Sequence, residues 1–331
     1  MSCRVRRHPF FPIIAAIALG SIAGNRAPAP DGRWLPFRWL AFESSGKRIE
    51  RAAILVPVKL DGLPGGHQFQ LDLGADQSLL HGAAVREVDA RFSLPVYGMT
   101  VSGEIAGVAV KNEPVGVLSG FRAMAGPAQP MPVIGTLGLG FFAHRVLVLD
   151  YPGRRLMVLG KDEVLPANLE AQATFVAAVA RNGKLYVPIN IGGIIENGFF
   201  FDTGTALPLV TSPEEWRRLT GRRGDELSNE RLSGPSWDII LSMVGAPMRQ
   251  AVAIGPARRQ RPVIWFTPDE RVSFSVWPAT KGLIGNELFK DGFVVVVDLP
   301  RGRFGIARSE SAQPNKRLHP TAARLTPSGR G

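Results

Sequence analysis

Apolar residues along the chain fall in short runs of Val, Ile, Leu and Phe. Gly, Pro and Asn interrupt them about every eight to twelve residues, a pattern that predicts a mostly β protein. The clearest runs are Ala53–Leu60, Gln68–Leu73, Ile105–Val110, Arg145–Leu149, Leu185–Ile191, Phe199–Asp202 and Phe293–Asp298. Helix signals are few. The best begins at Ser212, with Pro213 at the first helical position, Glu214 and Glu215 in the first turn and Gly221 beyond the end. Lys161–Gln172 is polar and reads as a link between two halves.

Those halves repeat each other. Val56-Pro57 leads to Phe69-Gln70-Leu71-Asp72-Leu73-Gly74, and Val187-Pro188 leads to Phe200-Phe201-Asp202-Thr203-Gly204. Further on, Gly135-Thr136-Leu137-Gly138 precedes a strand ending at Asp150, and Gly282-Leu283-Ile284-Gly285 precedes one ending at Asp298. Solenoid repeats run about 20 to 50 residues, so a much longer period is domain duplication. The expected architecture is all-β: two homologous β-barrel-like lobes, residues 24–165 and 173–310, with a cleft between them and few short helices.

The formal charge of +11 raises the question of nucleic acid. Residues 1–23 contribute three of those charges through Arg4, Arg6 and Arg7, and residues 301–331 contribute a net six, leaving about +2 for the body. No nucleic-acid partner is expected. The N-terminus is cationic and then apolar from Phe10 to Gly24, ending in the small-x-small sequence Ser21-Ile22-Ala23. Residues 1–23 therefore read as a secretory signal, which places the protein outside the cytoplasm, periplasmic or secreted. Uncleaved, the same segment is a membrane anchor, the only membrane contact expected. The single cysteine, Cys3, lies ahead of the apolar run, so the exported chain has no disulfide. Residues 311–331 lack apolar periodicity and read as a disordered basic tail.

An Asp followed two residues later by Gly is an ordinary turn signature. Placement gives this pair its meaning, because each Asp follows an apolar strand at an equivalent point of two related lobes. A pseudo-twofold axis brings such carboxylates face to face, where like charges let the pair hold one proton between them. One then serves as general base toward a water while the other, protonated, donates to a carbonyl.

On these two turns, the Leu137-Gly138 and Ile284-Gly285 signatures and the closing strands, the chain resembles the pepsin-type, bilobal relatives of the retroviral aspartic proteases over about residues 50–308. The resemblance implies an aspartic-type endopeptidase acting on a peptide or protein substrate, with Asp72 and Asp202 catalytic and no metal or other cofactor. Gly74, Thr203, Gly204, Thr205, Gly138 and Gly285 would support the dyad. A flap hairpin would cover the cleft from Tyr97, Gly98 and Gly103. Two lobes in one chain imply a monomer. One departure is central: the family usually carries Thr or Ser after each Asp, as Thr203 does, and this chain has Leu73. The alternative is therefore a catalytically silent peptide-binding protein on the same fold. A second asymmetry, Thr205 against Ala75, predicts that Asp202 is the more acidic member and Asp72 the proton holder.

Other features have plainer readings. Asp150 and Asp298 open Asp-x-Pro turns expected at the surface. Arg258–Arg261 reads as a solvated loop, and Trp34, Phe37 and Trp39 as an extra strand or packing segment. A glycosidase with paired carboxylates is a third possibility, requiring the groups to stand about 5 to 9.5 Å apart. Serine hydrolase, P-loop and zincin motifs do not occur in the sequence.

Overall fold

The computed structural model describes residues 33–44, 46–95, 97–121, 131–236, 239–269 and 279–312. The expected signal or anchor, residues 1–23, and nearly all of the basic tail lie outside them. Among the described residues no helix is long and apolar enough to cross a membrane.

The fold is all-β and two-lobed. In the first half, strands Arg38–Ser44, Lys47–Leu60, His67–Leu71, Leu79–His81, Gly98–Ile105, Val108–Leu118 and Val133–Leu137 form a seven-stranded sheet. In the second half, an eight-stranded sheet is built around Phe199–Phe201, Leu209–Thr211 and Gly282–Ile284, beside a small four-stranded sheet. Along Lys47–Leu60 burial alternates only over Val56–Leu60, after a run of four buried residues from Ala53 to Val56, whereas Phe199–Phe201 is buried throughout, as a central strand covered on both faces must be.

The two halves meet in a six-stranded sheet, where Arg145–Asp150 pairs antiparallel with Phe293–Asp298 and Val148 lies opposite Val296. The outer positions are also alike. Leu35–Pro36 closes one edge on Arg155–Gly160, and Thr174–Ala177 closes the other on Arg303–Arg308. Below the cleft a relay of aromatic rings joins the halves: Phe37 to Trp39 (5.5 Å between centroids), Trp39 to Tyr151 (6.0 Å), Tyr151 to Phe289 (6.2 Å) and Phe289 to Phe201 (5.6 Å). The Trp34–Trp39 stretch is thus both an edge strand and packing for this base.

The helix over Pro213–Thr220 forms as its caps dictate, with Ser212 Oγ accepting from Glu215 N (3.2 Å) and Gly221 left-handed at φ 68°. Two strand expectations need correction. The run Ile105–Val110 is the turn of a hairpin, because Ala106 and Gly107 both adopt positive φ. Leu185–Ile191 is interrupted at Val187-Pro188, where proline offers no N–H to a ladder. Arg258 and Arg259 belong to strand Ala257–Arg259, and Arg259 reaches Asp291 (3.2 Å).

Asp150 and Asp298 do form turns, but at 1% and 0% exposure they are not surface residues. Asp150 accepts from Gly153 N (3.1 Å), Arg155 Nε (2.8 Å) and Ser309 Oγ (2.6 Å). Asp298 accepts from Arg301 Nη1 (3.1 Å) and Arg303 Nε (2.7 Å). A buried carboxylate with its oxygens so filled is a structural rivet, and the two rivets occupy matching corners of the shared sheet.

Candidate active site

Each aspartate sits just past the end of a strand that runs parallel to the strand leading to the later glycine. Asp72 N donates to Leu137 O (3.0 Å) and Asp202 N to Ile284 O (2.9 Å). Beyond them the backbone loops across itself, Leu139 N donating to Ala75 O (2.8 Å) and Asn286 N to Thr205 O (3.1 Å). This crossing explains Gly138 and Gly285. A Cβ at Gly138 would lie 2.3 Å from Gln77 O, and one at Gly285 would lie 2.0 Å from Leu207 O.

The two turns fit into each other. A Cβ on Gly74 would stand 2.5 Å from the Asp202 carboxyl carbon, and one on Gly204 would stand 2.5 Å from that of Asp72. Each glycine therefore clears space for the carboxylate of the opposite lobe, and the two carboxyl groups share a hydrogen bond. Both are half-buried.

Removal from water pushes the pKa of both groups upward. Asp202 rises well above the usual carboxylate range, through desolvation first and the neighbouring Asp72 charge next. Asp72 rises less, because the hydrogen bond from Asp202 and backbone donors favour its ionised form. Its Oδ1 accepts from Gly74 N (2.9 Å) and Ala75 N (3.2 Å), while Asp202 Oδ1 accepts from Gly204 N alone (2.7 Å). Two backbone donors at Asp72 against one at Asp202 favour the charge on Asp72, the opposite direction to the sequence expectation. The reason is visible at Thr205, whose hydroxyl accepts from Leu207 N (3.5 Å) and makes no hydrogen bond with Asp202.

Thr203, fully buried, is the lock between the turns: its Oγ1 accepts from Leu73 N (3.0 Å) and donates to Leu71 O (3.0 Å). The return half is missing. Leu73, also fully buried, carries no polar atom for Thr203 N or Phe201 O and instead joins the hydrophobic core.

The hairpin that carries Gly98 and Gly103, expected as a flap, is built into the sheet. The hairpin Gly98–Leu118 is part of the barrel wall, its first strand pairing with Lys47–Leu60 as well as with its own partner. Its turn is fixed from beneath: Ala106 N donates to Pro57 O (3.0 Å), a Cβ on Gly107 would meet Leu35 at 2.2 Å, and one on Gly103 would meet Lys59 O at 2.2 Å. Gly98 faces Gly116 at the open end of the hairpin, and Tyr97 beside it is 90% exposed. Tyr97 stands at a bend one residue ahead of the strand.

Two supporting side chains were not singled out from the sequence. Asn286 donates from Nδ2 to Thr203 O (2.8 Å) and Thr205 O (3.1 Å), and its Oδ1 accepts from Tyr151 OH (2.7 Å). Lys184, 9% exposed, donates from Nζ to Gly74 O across the lobe boundary. The first had a usable signal, since it follows the Ile284-Gly285 signature directly. Lys184 had none beyond its place three residues before Val187-Pro188, where the first copy has Ala53.

No protein-family model and no curated protein matches the chain. Among solved structures it is similar to the basic 7S globulin from soybean (12% identity, TM-score 0.45, covering 83% of this chain and 96% of that one). It is also similar to conglutin gamma, a basic 7S globulin from lupine seeds (11%, 0.44, 83% and 94%), and to edgp (10%, 0.46, 87% and 97%).

Proposed function

We propose that this protein is an aspartic-type endopeptidase that hydrolyses peptide bonds with a water activated between Asp72 and Asp202, in a monomer exported from the cytoplasm. The observation that carries the proposal is the mutual fit of the two turns, with each glycine vacating the space that the other lobe's carboxylate fills. A pair built only as two separate turns would have no need of that clearance.

In the proposed reaction the ionised Asp72 accepts a proton from the water as its oxygen attacks the peptide carbonyl carbon. The protonated Asp202 gives its proton to the carbonyl oxygen, forming a neutral tetrahedral diol. Collapse of the diol breaks the C–N bond, as the proton on Asp72 passes to the leaving nitrogen and a diol proton returns to Asp202. The mutual fit of the two turns favours carboxyl groups in contact over the separation of about 5 to 9.5 Å that a glycosidase needs.

A second reading has its own observation. Leu73 leaves half of the lock unmade, which favours a silent peptide-binding protein that retains the cleft.

Cleavage of a mixed peptide library across about pH 3 to 7, beside Asp72→Asn and Asp202→Asn, separates the two. The proposal expects cleavage by the native chain, blocked by a statine-type inhibitor, and a loss of at least about a thousandfold in each variant. A folded native chain that binds peptides without cutting them would establish the second reading.

A further inference from the structure

Lys184 stands at the tip of a C-lobe hairpin, where Val179–Arg181 turns through Asn182 and Gly183, both at positive φ, into Lys184–Tyr186. That left-handed pair is the tight two-residue turn which Asn-Gly sequences favour. The turn docks on the N-lobe: a Cβ on Gly183 would meet Asp76 Cβ at 2.4 Å, four residues beyond Asp72. From there the Lys184 side chain runs inward, its Nζ 5.5 Å from the Phe200 ring centroid and donating to Gly74 O. The Gly74 carbonyl belongs to the turn whose lock is missing at Leu73. The N-lobe position that corresponds to Lys184 by the Val-Pro marker is Ala53, so the device has no mirror image.

We propose that Lys184 is the positioning residue that replaces the absent hydroxyl at Leu73, tying the Asp72 turn to the C-lobe and setting a fixed positive charge beside the carboxyl pair. The proposal rests on the pair being the working dyad, but its electrostatic part concerns the pair whether or not it cleaves. A buried ammonium is costly unless its charge is answered, and a pair holding one proton supplies one negative charge to answer it. Charged groups near the lysine among the described residues include Asp72 and Asp202 from the two turns, Asp76 beside Gly183, and Arg181 across the hairpin, whose guanidinium stacks on Tyr186 at 4.0 Å. The Lys184 charge opposes the upward drift of both dyad carboxyls.

The test compares Lys184→Met and Lys184→Arg with the native chain in two readouts. In the pH profile of kcat/KM, Lys184→Met should move both limbs to higher pH and lower kcat by about a hundredfold, the cost of roughly 1 Å of misplacement. Lys184→Arg, which keeps charge and donor, should leave the limbs in place. In thermal unfolding, Lys184→Met should lose more at pH 7 than at pH 4, since the uncompensated pair then ionises at a greater penalty. Asp72→Asn combined with Asp202→Asn should abolish that difference. Folding of Lys184→Met at pH 4 but not at pH 7 would be the same result in stronger form. A uniform loss at every pH, with limbs unmoved and no rescue by arginine, would overturn the proposal while leaving the peptidase reading intact. An inert native chain that still shows the pH-dependent stability difference would sink the peptidase reading and keep the lysine's charge role.

Discussion

The two aspartate turns began as copies and no longer do the same work. Around Asp202 the chain keeps polar support: Thr203 bonds across to Leu71 and Leu73, and Asn286 holds the carbonyls of Thr203 and Thr205 from below. Around Asp72 the equivalent places are Leu73 and Leu139, both buried in the core. The C-lobe turn is fixed by directional bonds. The N-lobe turn is fixed by packing, by the incoming bonds from Thr203 and by the reach of Lys184 to Gly74 O. One lobe thus serves as the template against which the other is held.

The strongest way to break that comparison is to remove the template's hydroxyl. Thr203→Val keeps shape and strips Leu73 N and Leu71 O of their partner in a fully buried site, which should cost about 2 to 5 kcal/mol in denaturant unfolding. Loss of peptide cleavage should accompany it at pH values where the variant is still folded. A cost below about 0.5 kcal/mol would mean that the turns are held by packing on both sides.

The pH dependence of stability sharpens the contrast, because the N-lobe and the dyad pull in opposite directions. His81 is buried with Nε2 against Thr136 Oγ1 (2.9 Å), the Phe121 ring edge-on at 4.6 Å, and Nδ1 unpartnered. Burial lowers its pKa to about 4. A histidine depressed in the folded state contributes stability that is present above about pH 6.5 and lost as pH falls through about 4. That loss amounts to about 3 kcal/mol in full. The dyad carboxyls are raised, so their contribution is fully present below the unfolded carboxylate pKa and lost as pH rises through the folded ones. The C-lobe place that corresponds to His81 is Thr211, which does not titrate. His81→Thr should therefore flatten the acid side of a Tm-against-pH curve and leave the neutral side sloping. An unchanged acid side would show that His81 is already compensated.

Asn286→Leu makes the C-lobe turn resemble its N-lobe counterpart at Leu139. The change leaves Thr203 O and the Tyr151 hydroxyl without their partner and takes from Thr205 O one of its two donors, the backbone N of residue 286 remaining, and about 2 to 3 kcal/mol of stability should go with them. The double variant Asn286→Leu with Tyr151→Phe should recover part of the loss, since the orphaned hydroxyl is then gone. Simple addition of the two single costs would instead show that Tyr151 and Asn286 act separately.

Much of this was legible in the sequence because duplication turns weak signals into a pattern. Asp72, Asp202, Gly74, Gly204, Gly138 and Gly285 all stand where the repeat places them, and the glycines show why: backbone or carboxylate occupies the space of each absent side chain. What stayed hidden was whatever depends on a single long-range contact. Tyr97 and Gly98 carry the composition of a flap, yet whether a hairpin hangs free or joins a wall is decided by its pairing with Lys47–Leu60. Thr205 has the hydroxyl and the spacing of a donor to Asp202, yet that hydroxyl accepts from Leu207 N. Asp150 and Asp298 read as surface turns because nothing nearby in sequence announces that Ser309 or the shared sheet would bury them.

Leu73→Thr is the smallest change in stability and the finest probe of the comparison. Two effects oppose each other there. Shortening a fully buried leucine removes core contacts at a cost of about 2 to 3 kcal/mol, near the low end for larger truncations. The new hydroxyl can accept from Thr203 N and donate to Phe201 O, mirroring what Thr203 already does, and each buried bond returns about 1 kcal/mol or somewhat more. Net stability should then change by less than about 1 kcal/mol, while kcat rises as the Asp72 carboxylate gains a second restraint. A full cavity cost with kcat unmoved would mean that the turn no longer has room for the lock, and that Leu73 and Lys184 together define a different, settled way of holding the same pair of carboxylates.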